Sequence, residues 1–230
     1  MIVRLSEASH NLGNLLFIHG MCHGAWCWDQ GFMQLFTKEG YNCYAINLRK
    51  HDSSGKTAGI NKVSIQDYLQ NIKAAISEIG DEVILIGHSM GGFMIQKYLE
   101  KHHFERAVLI GSVPTTGILP AAIRYLYKHP EALPSFIRRD IYAPFVKHAS
   151  DLYHPGTDKD LIKKCQTLMC AESFKVLYQM MFQPVKKPTK AQLFVIGAAE
   201  DQVISQKEIN STAKFHGVKP IIMNNLGHNM

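Results

Sequence analysis

Short apolar runs alternate with stretches of helical periodicity along most of this chain. Six runs have the length and apolar density of buried strands: Leu15 to His19, Cys43 to Leu48, Val83 to Gly87, Ala107 to Ile110, Leu193 to Ile196 and Lys219 to Met223. Between the second and third, Ile65, Tyr68, Leu69, Ile72, Ala75, Ile76 and Ile79 fall on one helical stripe. Ser64 with Asp67 forms a capping-box pattern before that stripe, and Gly80 stands at its end, which predicts a helix from Ser64 to Gly80 packed on the core. Strands alternating with helices predict an α/β class fold, a mostly parallel sheet flanked by helices.

The alternation stops near Ile118 and resumes near Lys190. Within that interval Pro120, Pro130, Pro134, Pro144 and Pro155 punctuate segments of helical character. The expected organisation is a core of residues 1–117 and 191–230, with residues 118–190 inserted as a helical cap. Its last helix is expected to run through Leu161, Cys165, Leu168, Met169, Phe174, Leu177, Tyr178 and Met181, an apolar face that could roof a pocket or dock the cap on the sheet.

Composition narrows the class. With 230 residues, 46% hydrophobic and 19% charged, the chain can bury a substantial core. No apolar run approaches the roughly 20 residues of a membrane span. Arg4 and Glu7 interrupt the apolar N-terminus, so a cytoplasmic protein without a signal peptide is expected. The five cysteines, Cys22, Cys27, Cys43, Cys165 and Cys170, are odd in number and scattered, which fits reduced thiols better than a disulfide framework. His19, Cys22, His23 and Cys27 invite a metal reading, but no second ligand pair follows at zinc-site spacing, and no metal is expected. Residues 121–190 hold twelve basic and six acidic residues, which accounts for the whole net charge of +6. Without interleaved aromatic spacing this reads as a solvated basic face, and no nucleic-acid partner is expected.

The chemistry concentrates at Val83-Ile-Leu-Ile-Gly-His-Ser-Met-Gly-Gly92, an apolar strand entering a Gly-x-Ser-x-Gly turn before a helical pattern of Phe93, Met94, Ile95, Tyr98 and Leu99. Such a turn pushes Ser89 out at the sheet edge, where a base can reach its hydroxyl, and Gly87 and Gly91 permit the tight approach of helix to strand. A base and an orienting acid should then lie at the ends of later strands. Asp201 follows the strand Leu193 to Ile196, and His228 follows Lys219 to Met223, in the chain order Ser, Asp, His that this topology requires. Glu200 is a rival acid; Val203 and Ile204 after Asp201 favour the latter. His88 reads as a packed neighbour of the serine. The backbone N–H of Met90 and that of Met21, after His19-Gly20, are the expected oxyanion donors.

In order along the chain, Phe-Ile-His19-Gly20-Met-Cys-His-Gly-Ala-Trp-Cys-Trp28, Gly-His-Ser89-Met-Gly-Gly, Asp201 and Gly-His228 resemble the α/β-hydrolases. The His-Gly-x-Cys-His-Gly-Ala-Trp-x-Trp segment is similar to the branch that holds plant methylesterases, hydroxynitrile lyases and bacterial esterase relatives. The resemblance covers residues 15 to 116 and 191 to 230, and the cap only in position and helical character. It implies cofactor-free hydrolysis of a small carboxylic ester through a Ser89 acyl-enzyme, with His228 moving the proton and Asp201 orienting it. Lyase members carry a threonine where Gly20 stands and a lysine where Asn229 stands, so the lyase activity is not expected. Relatives continue into a final helix beyond the catalytic histidine. Its absence is expected to expose apolar surface on the last strands and to leave His228 near a fraying end. The partner expected is a small ester; oligomeric state is open. A slow-turnover ligand receptor, a thioesterase and a cofactor-free haloperoxidase remain alternative uses of the same triad.

Overall fold

The computed structural model describes residues 1–51, 58–80 and 82–230. Seven strands form one sheet: β1 (Ile2–Arg4), β2 (Gly13–Ile18), β3 (Tyr41–Ile46), β4 (Val83–His88), β5 (Arg106–Ile110), β6 (Gln192–Ala198) and β7 (Pro220–Met223), in the order β1-β3-β2-β4-β5-β6-β7. All neighbours are parallel except β1, which pairs antiparallel with β3. The α/β class and all six expected strands are present. β1 escaped the sequence reading because three residues carry no usable period.

Strands covered on both faces need side chains that are apolar throughout, and β2 buries Leu15, Leu16, Phe17 and Ile18 completely or nearly so. Between β2 and β3 lies α1 (Phe32–Glu39); between β3 and β4 lies α2 (Ile65–Ile79), with the Ser64–Asp67 capping box formed in both directions and Gly80 at its end. It turns Ile65, Tyr68, Ile72, Ala75 and Ile76 into the core. After β4 comes α3 (Met90–Leu99), whose residues are almost all buried.

The chain runs from β2 outward to β3 and returns to β4 on the other side of β2. Beyond the carboxyl ends of β2 and β4 there is therefore a crevice, the place where open α/β sheets put their ligands. The loops after Ile18 and His88 meet there.

Five helices separate β5 from β6: α4 (Leu119–Lys128), α5 (Leu133–Ile137), α6 (Tyr142–Lys147), α7 (Lys159–Leu168) and α8 (Phe174–Phe182). The two ends of this segment are tied together, Ile118 N–H donating to Met180 O and Val185 N–H to Thr115 O. The single long helix expected through Leu161 to Met181 is corrected to two, α7 and α8. The break at residues 169–173 has a physical cause: Glu172 turns inward to partners on two other elements, and Ser173 caps α8 through Val176 N–H. Beyond β6, α9 (Gln206–Phe215) opens with a Ser205–Glu208 capping box and leads to β7.

The sheet face on the α1 side is incompletely covered. A groove of about 280 Å³ lined by Phe32, Phe36, Ile84, Val108, Ile110 and Phe194 crosses it, and Phe194, Ile221 and Met223 are each more than 40% exposed. Among the described residues no helix is long and apolar enough to cross a membrane, and none of the five cysteines is in a disulfide.

α3 approaches the end of β2 too closely for a side chain to fit between them. A Cβ added at Gly91 would lie 2.2 Å from Ile18 O, and one at Gly87 would lie 2.6 Å from the Gly91 backbone. Neither obstacle is a flexible side chain. Gly91→Ala is expected to destabilise the protein by about 3 kcal/mol or more, because backbone must move to admit one methyl. A urea melt checks this; a midpoint equal to that of the wild type would refute it.

Candidate active site

Ser89 joins β4 to α3 with φ +53° and ψ −116°, a conformation that side chains other than glycine rarely adopt. The surrounding backbone holds it there. Ser89 N–H donates to Ile110 O, and Ser89 O accepts from Phe93 N–H and Val113 N–H. The hydroxyl is thereby turned toward the crevice while the residue stays 93% buried.

His228 lies in the loop after β7, three strands along from β4 on the far side of β5 and β6. It reaches across because β5 ends at Gly111, whose φ of +50° bends the chain aside; a Cβ there would already be 3.4 Å from His228 Nδ1. His228 Nδ1 is 2.8 Å from Asp201 Oδ2, and Nε2 is 2.9 Å from Ser89 Oγ. An ionised carboxylate only accepts, so the Nδ1 proton belongs to the Asp201 contact and Nε2 is left to accept from the serine hydroxyl. The Asp201 side chain is fully buried. Burial alone would raise its pKa, yet His228 and the N–H groups of Val203 and Ile204 bonded to Oδ1 hold it below the ordinary carboxylate value. Ser89, His228 and Asp201 thus form one hydrogen-bonded line. Glu200 is excluded from it, its Oε2 accepting instead from Leu226 N–H.

The expected weakness near residue 228 does not take the form of a loose end. His88 donates from Nε2 to His228 O at 2.9 Å and packs its ring against the His228 imidazole. Asn229 N–H donates to Leu152 O, and Gly227 sits so close to Tyr153 and His154 that a Cβ would be 2.5 Å from their backbone. His88 is therefore more than a neighbour of the serine. Burial and the nearby His228 depress its pKa to about 3, which keeps it a neutral donor.

Met90 begins α3, where helix geometry leaves the N–H without an intrahelical acceptor. Met21 occupies the loop after β2, and that loop is braced by imidazoles. His19 Nε2 accepts from Leu48 N–H, so Nδ1 carries the proton and donates to Gly20 O at 2.8 Å. This fixes the peptide that bears the Met21 N–H. One residue further, His23 Nδ1 donates to Met21 O at 2.7 Å while its ring stacks on Trp26. Both histidines are buried and their pKa values are lowered chiefly by desolvation, that of His23 to about 4. Three of their four ring nitrogens serve the backbone, and His23 Nε2 faces the Asn229 side-chain amide.

Below this loop lies a buried polar network that the sequence reading did not foresee. His51 Nε2 is 3.0 Å from Glu172 Oε2, Tyr68 Oη donates to Glu172 Oε1 at 2.6 Å, and Ser173 N–H donates to the same oxygen. Desolvation opposes both charges, but each offsets it for the other: the pKa of His51 is raised and that of Glu172 lowered. The pair stitches the β3 loop, α2 and the inserted helices together. Only spatial proximity reveals it, since residues 51 and 172 are unrelated by any local spacing.

Ser89 and Met21 open on a cavity of about 380 Å³. Its wall is mostly apolar, with Ile118, Ile141, Leu152 and Leu177 from the inserted segment and Val203 from the core. The predicted roof face of α8 contributes Leu177, whereas Leu161, Leu168 and Tyr178 point to solvent. Among the described residues, four of the twelve basic residues of this segment form ion pairs: Arg124 with Glu208, Lys128 with Asp151, Lys147 with Glu131 and Lys163 with Asp160.

A family model described as "Alpha/beta hydrolase family" matches residues 15–230. The chain belongs to the α/β-hydrolase family. Among curated sequences it is similar to methylesterase 7 of Arabidopsis thaliana, 34% identical over 92 residues, covering 36% of this chain and 32% of that protein. It is also similar to methyl jasmonate esterase 1 of Vitis vinifera, 31% identical over 91 residues, covering 38% and 34%. The matched segments thus span about a third of those relatives, within the methylesterase-like branch that the His-Gly-x-Cys-His-Gly-Ala-Trp motif resembles. Among solved structures, an extracellular α/β-hydrolase from a Paenibacillus species superposes with a TM-score of 0.71 at 18% identity, covering 94% of this chain and 91% of that one. A bromoperoxidase from Bacillus anthracis superposes at 0.74 and 15% identity, covering 96% and 87%. At such identities these two matches speak to the fold alone.

The His51–Glu172 pair dictates a pH response of stability. The raised His51 pKa contributes stability that is complete below about pH 6.5 and is lost as pH rises through the folded value. The lowered Glu172 pKa contributes stability that is lost only as pH falls through its own depressed value. Glu172→Gln leaves a buried imidazole that resists protonation, so its thermal midpoint should fall on acidification from about pH 7.5 to about pH 6, the range in which histidines titrate. The wild-type midpoint, over the same range, should hold or rise relative to the variant. Glu172→Ala is expected to cost about 3–5 kcal/mol, since His51 loses its partner in the core. Parallel pH slopes for wild type and Glu172→Gln would contradict the ion pair.

Proposed function

We propose that the protein is a serine esterase that cleaves small carboxylic esters, aryl or methyl esters among them, through an acyl-enzyme. The observation that carries this reading is the unbroken hydrogen-bonded line from Asp201 through His228 to Ser89 Oγ at the floor of an apolar cavity. The methylesterase and methyl jasmonate esterase among its relatives support the choice of substrate class.

The steps follow from the geometry. Ser89 Oγ attacks the ester carbonyl as His228 Nε2 takes its proton, and Asp201, kept ionised, stabilises the imidazolium without accepting the proton. The tetrahedral oxyanion is received by the N–H groups of Met21 and Met90, each such donor being worth about a hundredfold or more in rate. His228 returns the proton to the departing alcohol. Water, deprotonated by the same nitrogen, then attacks the acyl group, and His228 returns that proton to Ser89 Oγ as the acyl–oxygen bond breaks and the acid leaves. This sequence needs no cofactor or metal.

In this reading residues 118–190 act as a cap: they supply most of the apolar wall and so set which acyl or alcohol group fits. Gly20 and Asn229 weigh against the lyase reaction of related proteins. A Cβ at Gly20 would lie 3.1 Å from Ser89 Cβ and 3.0 Å from His88 Nδ1, so a threonine there would crowd the serine that has to move.

Purified protein should hydrolyse p-nitrophenyl and aryl methyl esters with an initial burst, and Ser89→Ala should reduce the rate to background. Asp201→Asn, which spoils the imidazole tautomer, should lower kcat by about a thousandfold or more. Tight ligand binding with turnover no faster than in Ser89→Ala would instead identify a receptor. In the same assay Gly20→Thr should lower kcat/KM at least about tenfold, a factor worth about 1.4 kcal/mol. An undiminished rate would show that the space above Ser89 is not needed.

A further inference from the structure

Asp201 does not rest on His228 alone. Its Oδ1 accepts from Val203 N–H at 2.7 Å and from Ile204 N–H at 2.8 Å, both in the turn that leads into α9. The other groups of that turn are held from outside. Ser205 N–H and Oγ donate to Glu208 Oε2 at 2.8 and 2.7 Å, and Val203 O accepts from Arg124 Nη2 at 2.8 Å. Arg124 belongs to α4, the first helix of the inserted segment, 79 positions before Val203.

Val203 O and Ile204 N–H are the two ends of one peptide group. Arg124 therefore reaches the nucleophile through an unbroken series: guanidinium to Val203 O, across that peptide to Ile204 N–H, then Asp201, His228 and Ser89 Oγ. A cation at a peptide oxygen draws charge from the same group's N–H, and hydrogen bonds in such a chain strengthen one another. The guanidinium is fixed in this position. Nη1 and Nη2 donate to the two carboxylate oxygens of Glu208 at 3.1 and 2.6 Å, and the planar fork then aims the remaining Nη2 hydrogen at Val203 O. The charged and titratable groups around the turn are His228, His88 and Glu200 on the Asp201 side, and Glu208, Lys128 and its partner Asp151 on the Arg124 side. Lys128, one turn further along α4, binds the Gln202 side chain and Asp151 rather than a peptide of the turn.

We infer that Arg124 is a positioning residue for the triad: through the Val203–Ile204 peptide the inserted segment holds the Asp201 carboxylate in line with His228, and so takes part in activating Ser89 as well as walling the cavity. This deepens the esterase reading and rests on it for the kinetic readout.

Arg124→Met removes the charge and the donor while keeping the side-chain stem. In hydrolysis of p-nitrophenyl esters it should lower kcat about tenfold, the worth of one hydrogen bond to a charged group, with KM nearly unchanged. Asp201 then loses part of what favours its ionised form. The acidic limb of the kcat/KM profile, which reports the Asp201–His228 pair, should move to higher pH by about half a unit. Arg124→Lys, which keeps the charge and a donor, should recover part of both effects. Arg124→Gln loses the charge but still reaches Val203 O; it should shift the limb the same way by less, and it carries the comparison if the methionine variant does not fold. Lys128→Met should leave the limb in place. Arg124 also borders the cavity, so acetyl and longer acyl esters are compared, and action through Asp201 gives the same loss for each. The rate at which a fluorophosphonate labels Ser89 supplies a readout without ester turnover and should fall by the same factor. Circular dichroism verifies that each variant is folded. An unchanged kcat and acidic limb in folded Arg124→Met, or a loss that grows with acyl length and appears in KM, overturns the assignment while leaving the esterase reading intact. Labelling slowed in Arg124→Met, in a protein that hydrolyses none of the esters, overturns the esterase reading and leaves the role of Arg124.

Discussion

The carbonyl oxygen of Ile18, at the end of β2, lies where only a glycine at position 91 can pass it. That contact presses the first turn of α3 against the end of β2, and the geometry of the crevice depends on it. With the helix so close, the chain can leave β4 only through a residue at positive φ, and that residue is Ser89. The strained backbone costs on the order of 1–3 kcal/mol, offset by three backbone hydrogen bonds to Ile110, Phe93 and Val113. The same closeness brings the β2 loop over the serine, so Gly20 and Met21 face it. Hydroxyl, helix terminus and loop are consequences of one steric limit.

A second constraint is distance across the sheet. His228 belongs to the edge strand's loop and must cross β6 and β5 to meet Ser89, which it does because Gly111 bends away and because Asp201, on the intervening loop, meets it halfway. Its own carbonyl is held by His88, and its flanking residues are fastened to Leu152 and Tyr153 of the inserted segment. The segment that walls the cavity thus also steadies the imidazole. Several histidines here act as neutral, tautomer-fixed struts for the backbone: His19, His23 and His88 are all buried and uncharged. The charged exception, His51, is matched by a buried carboxylate.

Much of this was legible in the sequence. The strands around β4, the α2 helix with its Ser64 cap, and the spacing of Ser89, Asp201 and His228 rest on local rules: apolar runs, capping residues and loops at strand ends. What was not legible depends on tertiary partners. The break between α7 and α8 is invisible to periodicity because Glu172, a good helix former, is drawn out of the helix by His51 and Tyr68. His88 looked incidental because its partner is a carbonyl 140 positions away. β1 was too short to register.

The central claim is that Ser89 is a nucleophile activated by His228. Labelling with an active-site fluorophosphonate, followed by peptide mass spectrometry, addresses it without any knowledge of the substrate. The account predicts a single adduct on Ser89, formed at least about a hundredfold more slowly when His228 is replaced by alanine. Absence of an adduct, an adduct on another serine, or equal labelling rates with and without His228 would contradict it.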